Sequence, residues 1–513
     1  MLKLSALPDV CSRLSRRGRF TAALAAGGLC SLALPPLSLF PLLWLGFPLL
    51  FLLVHGAPNR WQAFLTGWGF AFGYFTLSLY WIAAALFVDL TRFWWLVPFC
   101  VAGLPALLGV YYGLAALFWY RWRGLDAPGA ALLALLLFIA EYARGHLLSG
   151  FPWNLFGYVW ADILPMAQSV SLFGIYGLTL LTLFAACLPA ALFTRTKAAR
   201  RANLLATSIL MLLAGWGAVR LQEPTTTMAA ARYRLVQPNI AQAMKWDPAQ
   251  REANLQTLLR LSAPPIAAPT YMIWPESAVP FFLTDDMSRR DQIVAALPKG
   301  AVLVTGGDRR QPNYAKGRWD YFNSLLVMDG NIVTAIYDKV HLVPFGEYVP
   351  LQSFGPVATA TAGMGSFAAG AAPQTLRVRD LPPFSPLICY EVLFPGTVTD
   401  KSGTAQLLIN ITNDAWYGRT AGPYQHLAIA RMRAIEEGLP LLRAANTGIS
   451  ASIDAYGRTL QFLPLDTEGT IDAPIPHPAP RTLYAKVADS LALEIAFFLT
   501  LALCLGTRRT RTN

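Results

Sequence analysis

The chain has 513 residues, of which 55% are hydrophobic and only 14% are charged, whereas soluble proteins carry about 25% charged residues. This deficit excludes an ordinary soluble protein and indicates a membrane protein. The net charge of +12 does not indicate nucleic-acid binding, because the basic residues lie beside hydrophobic segments, where they determine membrane topology.

The cysteines and histidines indicate neither a disulfide framework nor a metal site. The six cysteines mostly lie in or beside apolar segments without paired spacing, and Cys389 is the only one in the globular part of the chain. The five histidines are scattered, with no H-E-x-x-H or C-x-x-C motif. We therefore expect no metal and no cofactor.

Eight apolar segments predict eight transmembrane helices. The first segment follows a basic stretch and also fits a cleaved signal peptide. The second begins directly after Pro35-Pro36, which favours two spans joined by a tight turn. Most segments reach the roughly 20 residues that cross the hydrocarbon core, and the fifth is marginal. The predicted spans are Phe20–Leu34, Leu37–Val54, Trp61–Phe87, Phe93–Tyr120, Ala127–Tyr142, Met166–Phe193, Asn203–Val219 and Val487–Leu505.

The distribution of Lys and Arg predicts the orientation of these spans. Fifteen basic residues lie in the terminal segments and short loops on the side of the N-terminus, whereas the opposite short loops hold only Arg92 and Arg144. Because short cytoplasmic loops are enriched in Lys and Arg, both termini are predicted to be cytoplasmic. The long segment between the seventh and eighth helices is then outside.

Two features near the membrane boundary have alternative interpretations. Glu141 and Arg144 share one helix face and form a structural pair, an interfacial anchor or a functional site. The aromatic loop Gly150–Tyr158 is interpreted as part of an interfacial aromatic belt, with a lipid-contacting lip as the alternative.

A globular domain is predicted between the last two spans. The expected division is 1–222 for transmembrane helices 1–7, 223–482 for the globular domain, and 483–513 for helix 8 and a cytoplasmic tail. Short apolar strands alternate with helices at 247–261 and 424–437, which predicts a layered α/β domain buried on both sheet faces. The predicted strands are Tyr233–Val236, Tyr271–Trp274, Val302–Thr305, Leu325–Met328, Ile332–Tyr337, Leu387–Tyr390, Leu407–Thr412 and Leu441–Ala445. The run of small residues at 355–373 is interpreted as a lid loop or as disorder.

Three ionisable residues end strand-like runs in this domain. Cys389 follows Pro-Leu-Ile and precedes Tyr-Glu; a lone buried cysteine is more often core filler than a nucleophile. The presence of Glu276 in Ile-Trp-Pro-Glu-Ser and Lys339 in Tyr-Asp-Lys-Val-His favours the interpretation of Cys389 as a nucleophile. A carboxylate, a cation and a thiol together can perform acyl transfer, with Glu276 as base, Cys389 as nucleophile and Lys339 stabilising the oxyanion.

These three motifs, in this order, resemble those of the nitrilase superfamily, whose members use a Glu–Lys–Cys triad on an α-β-β-α sandwich. The residues Glu276, Lys339 and Cys389 lie 63 and 50 positions apart. A nitrilase-like domain between a seventh and an eighth helix resembles the apolipoprotein N-acyltransferase family over essentially the whole chain. Phe151-Pro-Trp153 and Asn413-Asp-Ala-Trp-Tyr-Gly418 also resemble that family.

The resemblance implies a bacterial inner-membrane enzyme with a periplasmic catalytic domain, acting as a monomer. It implies a phospholipid acyl donor and, as acceptor, the α-amine of a diacylglyceryl-cysteine at the N-terminus of an apolipoprotein. It also implies supporting roles for Trp246, Glu347, Tyr390 and Glu391. Ordinary core packing for Trp246, a turn salt bridge for Glu347 and a strand-end hydrogen bond for Glu391 are the alternatives.

Two other functions remain open at this point. A membrane-anchored nitrilase-type amidase or hydrolase would use the same triad with water as acceptor, although one anchor would suffice for a soluble substrate. A transporter with an accessory outer domain would place charges or broken helices at mid-membrane, whereas the spans here are nearly free of acids and bases.

Overall fold

The computed structural model describes residues 7–89, 91, 94–122, 124–245, 247–266, 270–315, 317–350 and 366–511. These residues form two compact units. The first comprises Met1–Glu223, Thr420–Met432 and Arg481–Asn513, and the second comprises Pro224–Arg419 and Arg433–Pro480.

The first unit is helical. Its α-helices are Leu7–Arg13, Arg16–Ser31, Leu43–His55, Arg60–Ser78, Leu104–Trp119, Ala127–His146, Leu164–Ala167, Val170–Cys187, Lys197–Arg220, Tyr484–Val487 and Ser490–Arg511, and the helix Gly422–Glu437 begins in it. Its 3-10 or π turns are Phe40–Leu42, Tyr80–Asp89, Trp94–Leu96, Phe99–Gly103, Phe156–Trp160 and Leu188–Thr194.

Several of these helices have the length and apolar composition of membrane spans, as predicted. Within the described ranges, four qualify: Trp94–Trp119, Ala127–His146, Val170–Thr194 and Lys197–Arg220. A fifth qualifies if Arg60–Ser78 and Tyr80–Phe87, bent by 45°, count as one span. At the other three predicted spans, the helices Arg16–Ser31 and Phe40–His55 and the apolar part Ser490–Leu503 of the last helix are shorter. A total of eight spans therefore stays a prediction.

Small residues allow the first unit to pack tightly. A Cβ atom at Gly27 would overlap the carbonyl oxygen of Phe70, and one at Gly73 would overlap that of Leu24. The helices Arg16–Ser31 and Arg60–Ser78 thus touch backbone to backbone, the arrangement that small residues permit between helices in lipid.

The pair formed by Glu141 and Arg144 is fully buried. Arg144 Nε lies 2.6 Å from Glu141 Oε1, and Tyr112 donates to the same oxygen at 2.5 Å. Arg144 Nη1 also donates to the carbonyl oxygens of Phe151 at 2.6 Å and Trp153 at 2.8 Å. The pair therefore has a structural role: it fixes the aromatic loop.

The aromatic loop itself lies inside the unit. Trp153 and Phe156 are 1% and 0% exposed, so the interpretation of these residues as part of an interfacial belt is wrong. The indole nitrogen of Trp153 donates to Gln425 Oε1 at 2.9 Å, and that of Trp81 donates to the same oxygen at 3.2 Å. Satisfied indole N–H groups are what allow these rings to be buried.

Replacement of Glu141 by glutamine is expected to destabilise the protein by about 3–5 kcal/mol, because the Arg144 charge would stay buried without its counter-ion. The measurement is the thermal unfolding midpoint of the detergent-purified protein. Glu468→Gln is the matched control, since Glu468 forms an exposed ion pair with Arg260 at 2.7 Å and surface pairs contribute at most about 1 kcal/mol. Equal midpoints for the two variants would contradict this structural role.

The second unit contains two six-stranded sheets. In chain order the strands are β1 Thr227–Gln237, β2 Thr270–Ile273, β3 Ala301–Asn313, β4 Arg318–Asp329, β5 Ile332–Asp338, β6 Leu376–Val378, β7 Leu381–Ile388, β8 Leu407–Thr412, β9 Leu441–Ala445, β10 Ser450–Ile453, β11 Thr459–Leu463 and β12 Gly469–Pro476. The strand orders of the two sheets are β12-β1-β2-β3-β4-β5 and β11-β10-β9-β8-β7-β6, with parallel pairing in β1-β2-β3 and in β7-β8-β9.

Residues of both sheets share one buried core. Tyr271 on β2 stacks edge-on against Phe384 on β7, with ring centroids 5.5 Å apart, and both belong to a cluster that includes strands of each sheet. A second cluster joins the first sheet to the helices Arg251–Ser262 and Met287–Ala296. The predicted layered α/β domain is therefore present, and alternate residues of the central strands face different cores.

The helix predicted to begin at Asp247-Pro248 begins later, at Arg251. Asp247 accepts a hydrogen bond from the backbone of Ala249 at 2.9 Å and so closes a turn instead of capping the helix. Two other predictions fall on residues outside the described ranges: the role of Trp246, and the part of the proposed lid at 355–365.

Candidate active site

The three predicted catalytic residues each follow the end of a strand. Glu276 lies three residues after β2, Lys339 directly after β5 and Cys389 directly after β7. Strands β2 and β7 are almost entirely buried, whereas β5 is a largely exposed edge strand. All three side chains are nonetheless largely buried, at 6%, 1% and 6% exposure.

The turn that carries Glu276 requires close backbone approach to β3. Gly306 N donates to Pro275 O at 3.2 Å, and Ala278 N donates to Gly306 O at 2.9 Å. A Cβ atom at Gly306 would lie 2.6 Å from the Cα atom of Glu276. Only glycine therefore fits at this position, and the contact fixes the backbone of the candidate base.

Lys339 lies between two carboxylates. Its Nζ atom is 2.8 Å from Glu347 Oε1 and 3.4 Å from Glu276 Oε1. Although burial alone would lower the pKa of Lys339, these carboxylates raise it above its ordinary value. The lysine is therefore a permanent cation, suited to stabilising an anion and unsuited to acting as a base.

Asn323 on β4 completes this network. Its Nδ2 atom donates to Glu276 Oε1 at 2.8 Å and to Glu347 Oε1 at 2.7 Å. Glu347 Oε2 in turn accepts from the backbone of Val343 at 2.8 Å. Glu347 thus contacts both Lys339 and the backbone at Val343, and a supporting role for it in the site stays a prediction.

Cys389 adopts a left-handed backbone conformation, with φ of 50°, which costs about 1–3 kcal/mol for a residue other than glycine. Burial raises the pKa of the Cys389 thiol to about 12; the charge of Glu276 adds to this and that of Lys339 opposes it. Tyr417 Oη lies 3.9 Å from Cys389 Sγ. At neutral pH the resting sulfur is therefore a thiol that needs a base.

Glu391 holds the turn that carries Cys389. Its Oε2 atom accepts from the backbone of Ile388 at 2.7 Å, and its Oε1 atom accepts from Tyr337 Oη and from Val340 N, both at 2.7 Å, and from His341 N at 3.3 Å. Burial raises the pKa of Glu391, and these donors oppose that effect. Glu391 thereby ties the turn of Cys389 to the segment that follows Lys339.

Sequence reasoning missed three polar groups of this site: Asn323, Lys245 and Asp308. Lys245 is 6% exposed and donates to the carbonyl oxygen of Glu276 at 2.9 Å. Asp308 on β3 lies directly opposite Asn323 on β4 in the strand register. Asn323 and Asp308 lie within or beside the apolar runs of strands, which is a recognisable signal for functional polar residues. Tyr390, which was predicted, is 5% exposed and packs against Phe394 with ring centroids 5.1 Å apart.

The arrangement can deprotonate a thiol and stabilise negative charge beside it. Glu276 supplies a carboxylate, Lys339 a fixed cation and Cys389 a thiol, and the charges of the first two act on the thiol. Within the described ranges, no group of three or more His, Cys, Asp and Glu residues is arranged to hold a metal ion. This combination of groups is suited to covalent acyl transfer.

Comparison with known proteins matches both halves of the sequence. Residues 26–188 match the apolipoprotein N-acyltransferase N-terminal domain, and residues 232–481 match the carbon-nitrogen hydrolase family. The apolipoprotein N-acyltransferase of Bradyrhizobium diazoefficiens is 44% identical, with 96% of this chain and 95% of that protein covered. That of Rhodopseudomonas palustris is 40% identical at the same coverage.

The chain belongs to the apolipoprotein N-acyltransferase family. Both resemblances inferred from sequence motifs are thereby confirmed. The protein is a membrane enzyme that N-acylates lipoproteins, and its globular unit is a nitrilase-like domain.

Proposed function

We propose that the enzyme works in two half-reactions through a thioester on Cys389. In the first, Glu276 accepts the thiol proton while Sγ attacks the ester carbonyl of a phospholipid. The tetrahedral intermediate collapses, its C–O bond breaks, and Glu276 returns the proton to the departing lysophospholipid alcohol. The acyl chain remains on sulfur, and no net proton is released.

In the second half-reaction the α-amine of an S-diacylglyceryl-cysteine attacks the thioester. A C–N bond forms, the C–S bond breaks, and Glu276 carries one proton from nitrogen to sulfur. The products are an N-acylated lipoprotein and the free thiol. Ping-pong order follows because the lysophospholipid leaves before the amine enters.

The single observation that carries this proposal is the 3.4 Å contact between Lys339 Nζ and Glu276 Oε1, which places a cation beside the candidate base. In each half-reaction the intermediate carries an oxyanion, which Lys339 and a backbone N–H such as that of Tyr390 would stabilise. Removing one such donor typically costs about 2.7–4 kcal/mol of barrier.

The supporting residues have distinct roles in this proposal. Glu347 positions Lys339 through the 2.8 Å contact, and Glu391 holds the turn that presents the sulfur. Tyr390 contributes its backbone to the oxyanion site. Trp246 is assigned to substrate contact on the family resemblance alone.

We also propose the orientation of the chain. The excess of Lys and Arg in the short loops on the N-terminal side supports cytoplasmic termini, eight spans in a bacterial inner membrane, and a catalytic domain at 223–482 on the periplasmic side. The division 1–222, 223–482 and 483–513 follows from this topology, and a monomer suffices because all proposed catalytic groups belong to one chain.

The rival hydrolase would release free fatty acid from the same thioester. To separate the two functions, purified enzyme is incubated with acyl-labelled phospholipid and then given a diacylated lipopeptide. We expect a hydroxylamine-sensitive label on the protein and formation of N-acyl lipopeptide faster than free fatty acid. Faster release of fatty acid than of lipopeptide product would favour the hydrolase, and a protein that acquires no label would contradict the thioester.

A further inference from the structure

A carboxylate outside the proposed triad lies beside the candidate base. Asp308 on β3 is the direct cross-strand partner of Asn323 on β4. Side chains of residues directly opposite each other lie on the same face of a sheet, with Cβ atoms about 4.5–5.5 Å apart. Asn323 donates to Glu276 Oε1 at 2.8 Å, so Asp308 lies beside a side chain that contacts the candidate base Glu276.

Two acceptors at this position lack donors. Asn323 Nδ2 is fixed by its two carboxylate partners, which orients Oδ1 away from them, and this buried oxygen has no hydrogen-bond partner in the described part of the chain. Asp308 is half-buried, and its carboxylate accepts no hydrogen bond from any described residue. A buried acceptor without a donor, such as Asn323 Oδ1, is rare in proteins and calls for an explanation, whereas the half-buried Asp308 carboxylate is open to solvent.

Among the described residues around this position, carboxylates outnumber ammonium groups. Glu276, Glu347 and Asp308 supply three carboxylates, whereas Lys339 and Lys245 supply two ammonium groups. Lys245 donates to a backbone oxygen at 2.9 Å and forms an ion pair with none of the described carboxylates. The site thus carries one uncompensated negative charge and favours a cationic ligand.

The second half-reaction brings such a cation. An α-amine has an ordinary pKa of about 7.7–8.0, so the acceptor arrives mostly as an ammonium group at neutral pH. Nitrogen must lose one proton before it can attack and a second one afterwards. Glu276 returns the second proton to the Cys389 sulfur, which leaves the first proton without an acceptor in the triad.

We propose that Asp308 and Asn323 Oδ1 receive the α-ammonium group of the acceptor, and that the Asp308 carboxylate takes the proton that this group must lose. The N–H bond breaks, the electron pair stays on nitrogen for attack on the thioester, and the proton passes from the half-buried carboxyl group to solvent. This inference rests on the proposed transfer of the acyl chain to an amine.

The electrostatic surroundings suit this role. Burial raises the pKa of Asp308 to about 6, with Lys245 opposing this effect and Glu276 and Glu347 adding to it. The group is therefore ionised at neutral pH and yet binds a proton more readily than an ordinary aspartate. Burial lowers the pKa of Lys245 to about 8, and the charges of Glu276, Asp308 and Cys389 oppose that effect.

The test compares the two half-reactions of the full-length Asp308→Asn variant between about pH 6.5 and about pH 9. Thioester formation from labelled phospholipid is expected to stay within about twofold of wild type, because that step releases no net proton. Transfer to the lipopeptide is expected to fall by about tenfold or more at low pH. The defect should shrink towards pH 9, where the acceptor amine is already deprotonated.

Hydroxylamine, which is uncharged near neutral pH, provides an internal comparison, because its attack on the thioester is expected to be equally fast in wild type and variant.

Asp308→Glu should restore transfer partly. Asp285→Asn is the matched control, since Asp285 pairs with Arg310 at 2.8 Å on an exposed surface and should leave both half-reactions unchanged. If Asp308→Asn folds poorly, Asp308→Ser carries the same expectation.

Three results would overturn this assignment: a transfer defect of equal size at all pH values, an equal loss of thioester formation, or an equal loss of reaction with hydroxylamine. Each would show that Asp308 supports the structure of the site. A wild-type enzyme that forms no thioester would instead remove the proposed cycle and this inference with it, so the two failures can be told apart.

Discussion

Replacing Cys389 by alanine or serine is expected to abolish both the acyl-enzyme and the N-acyl product, with a loss of at least about a thousandfold. Alanine removes the nucleophile. Serine presents a hydroxyl group that is far harder to deprotonate than a thiol, and its ester would react more slowly with an amine. The measurement is the amount of hydroxylamine-sensitive label after incubation with acyl-labelled phospholipid.

The environment of the sulfur explains why the loss should be so large. Because burial raises the pKa of Cys389 to about 12, almost none of the resting enzyme holds a thiolate, and attack depends on transfer of the proton to Glu276 as the bond to carbon forms. Cys187→Ala is the matched control, since Cys187 is also a buried free cysteine but lies in the helix Val170–Cys187. Label on the Cys389→Ala protein would refute the assignment of the nucleophile.

The positions of the proposed catalytic groups could be predicted because each follows an apolar strand. Strands β8 and β9 were predicted with their observed bounds, Leu407–Thr412 and Leu441–Ala445. Both are buried throughout, so the apolar run and the strand coincide. The same reasoning identified Glu276 and Lys339 as candidate catalytic residues, because each follows the end of a strand.

Strands without a continuous apolar run escaped prediction. The strand β11, Thr459–Leu463, is largely exposed and lies at a sheet edge, and β12, Gly469–Pro476, pairs only with β1. Edge strands bury one face or none and so lack the signal that marks central strands. The predicted strand Leu387–Tyr390 ends at Ile388 in the structure, because Cys389 has a positive φ that no strand accommodates.

The hydrogen-bond network of the site depends on register, which the sequence does not reveal. Asn323 reaches Glu276 only because β3 and β4 align Asp308 with Asn323; a shift of β4 by one residue would turn the Asn323 side chain to the opposite face. In the same way, Glu391 could be identified as a polar strand-end residue, but its bonds to Val340 and His341 require two strands of different sheets.

After replacement of Cys389, Lys339→Met is expected to cause the largest loss of activity, and it should also lower the free energy of unfolding. The carboxylates of Glu276 and Glu347 would lose their shared cation, at 3.4 and 2.8 Å, and would repel each other while buried. Breaking such a pair typically destabilises a protein by about 3–5 kcal/mol, and losing an oxyanion donor slows acylation by about 10²–10³-fold. The unfolding midpoint and the rate of thioester formation measure the two effects separately.

The double variant Lys339→Met, Glu347→Gln distinguishes charge balance from catalysis. Glutamine in place of Glu347 removes one of the two uncompensated charges and can still accept from Val343 N, but its amide nitrogen cannot also accept from Asn323 Nδ2, so the unfolding midpoint should recover partly. Thioester formation should stay as slow as in the single variant, because no cation faces the developing oxyanion. If both the unfolding midpoint and the rate of thioester formation recovered, Lys339 would serve only to neutralise the carboxylates. The oxyanion would then depend on backbone N–H groups alone.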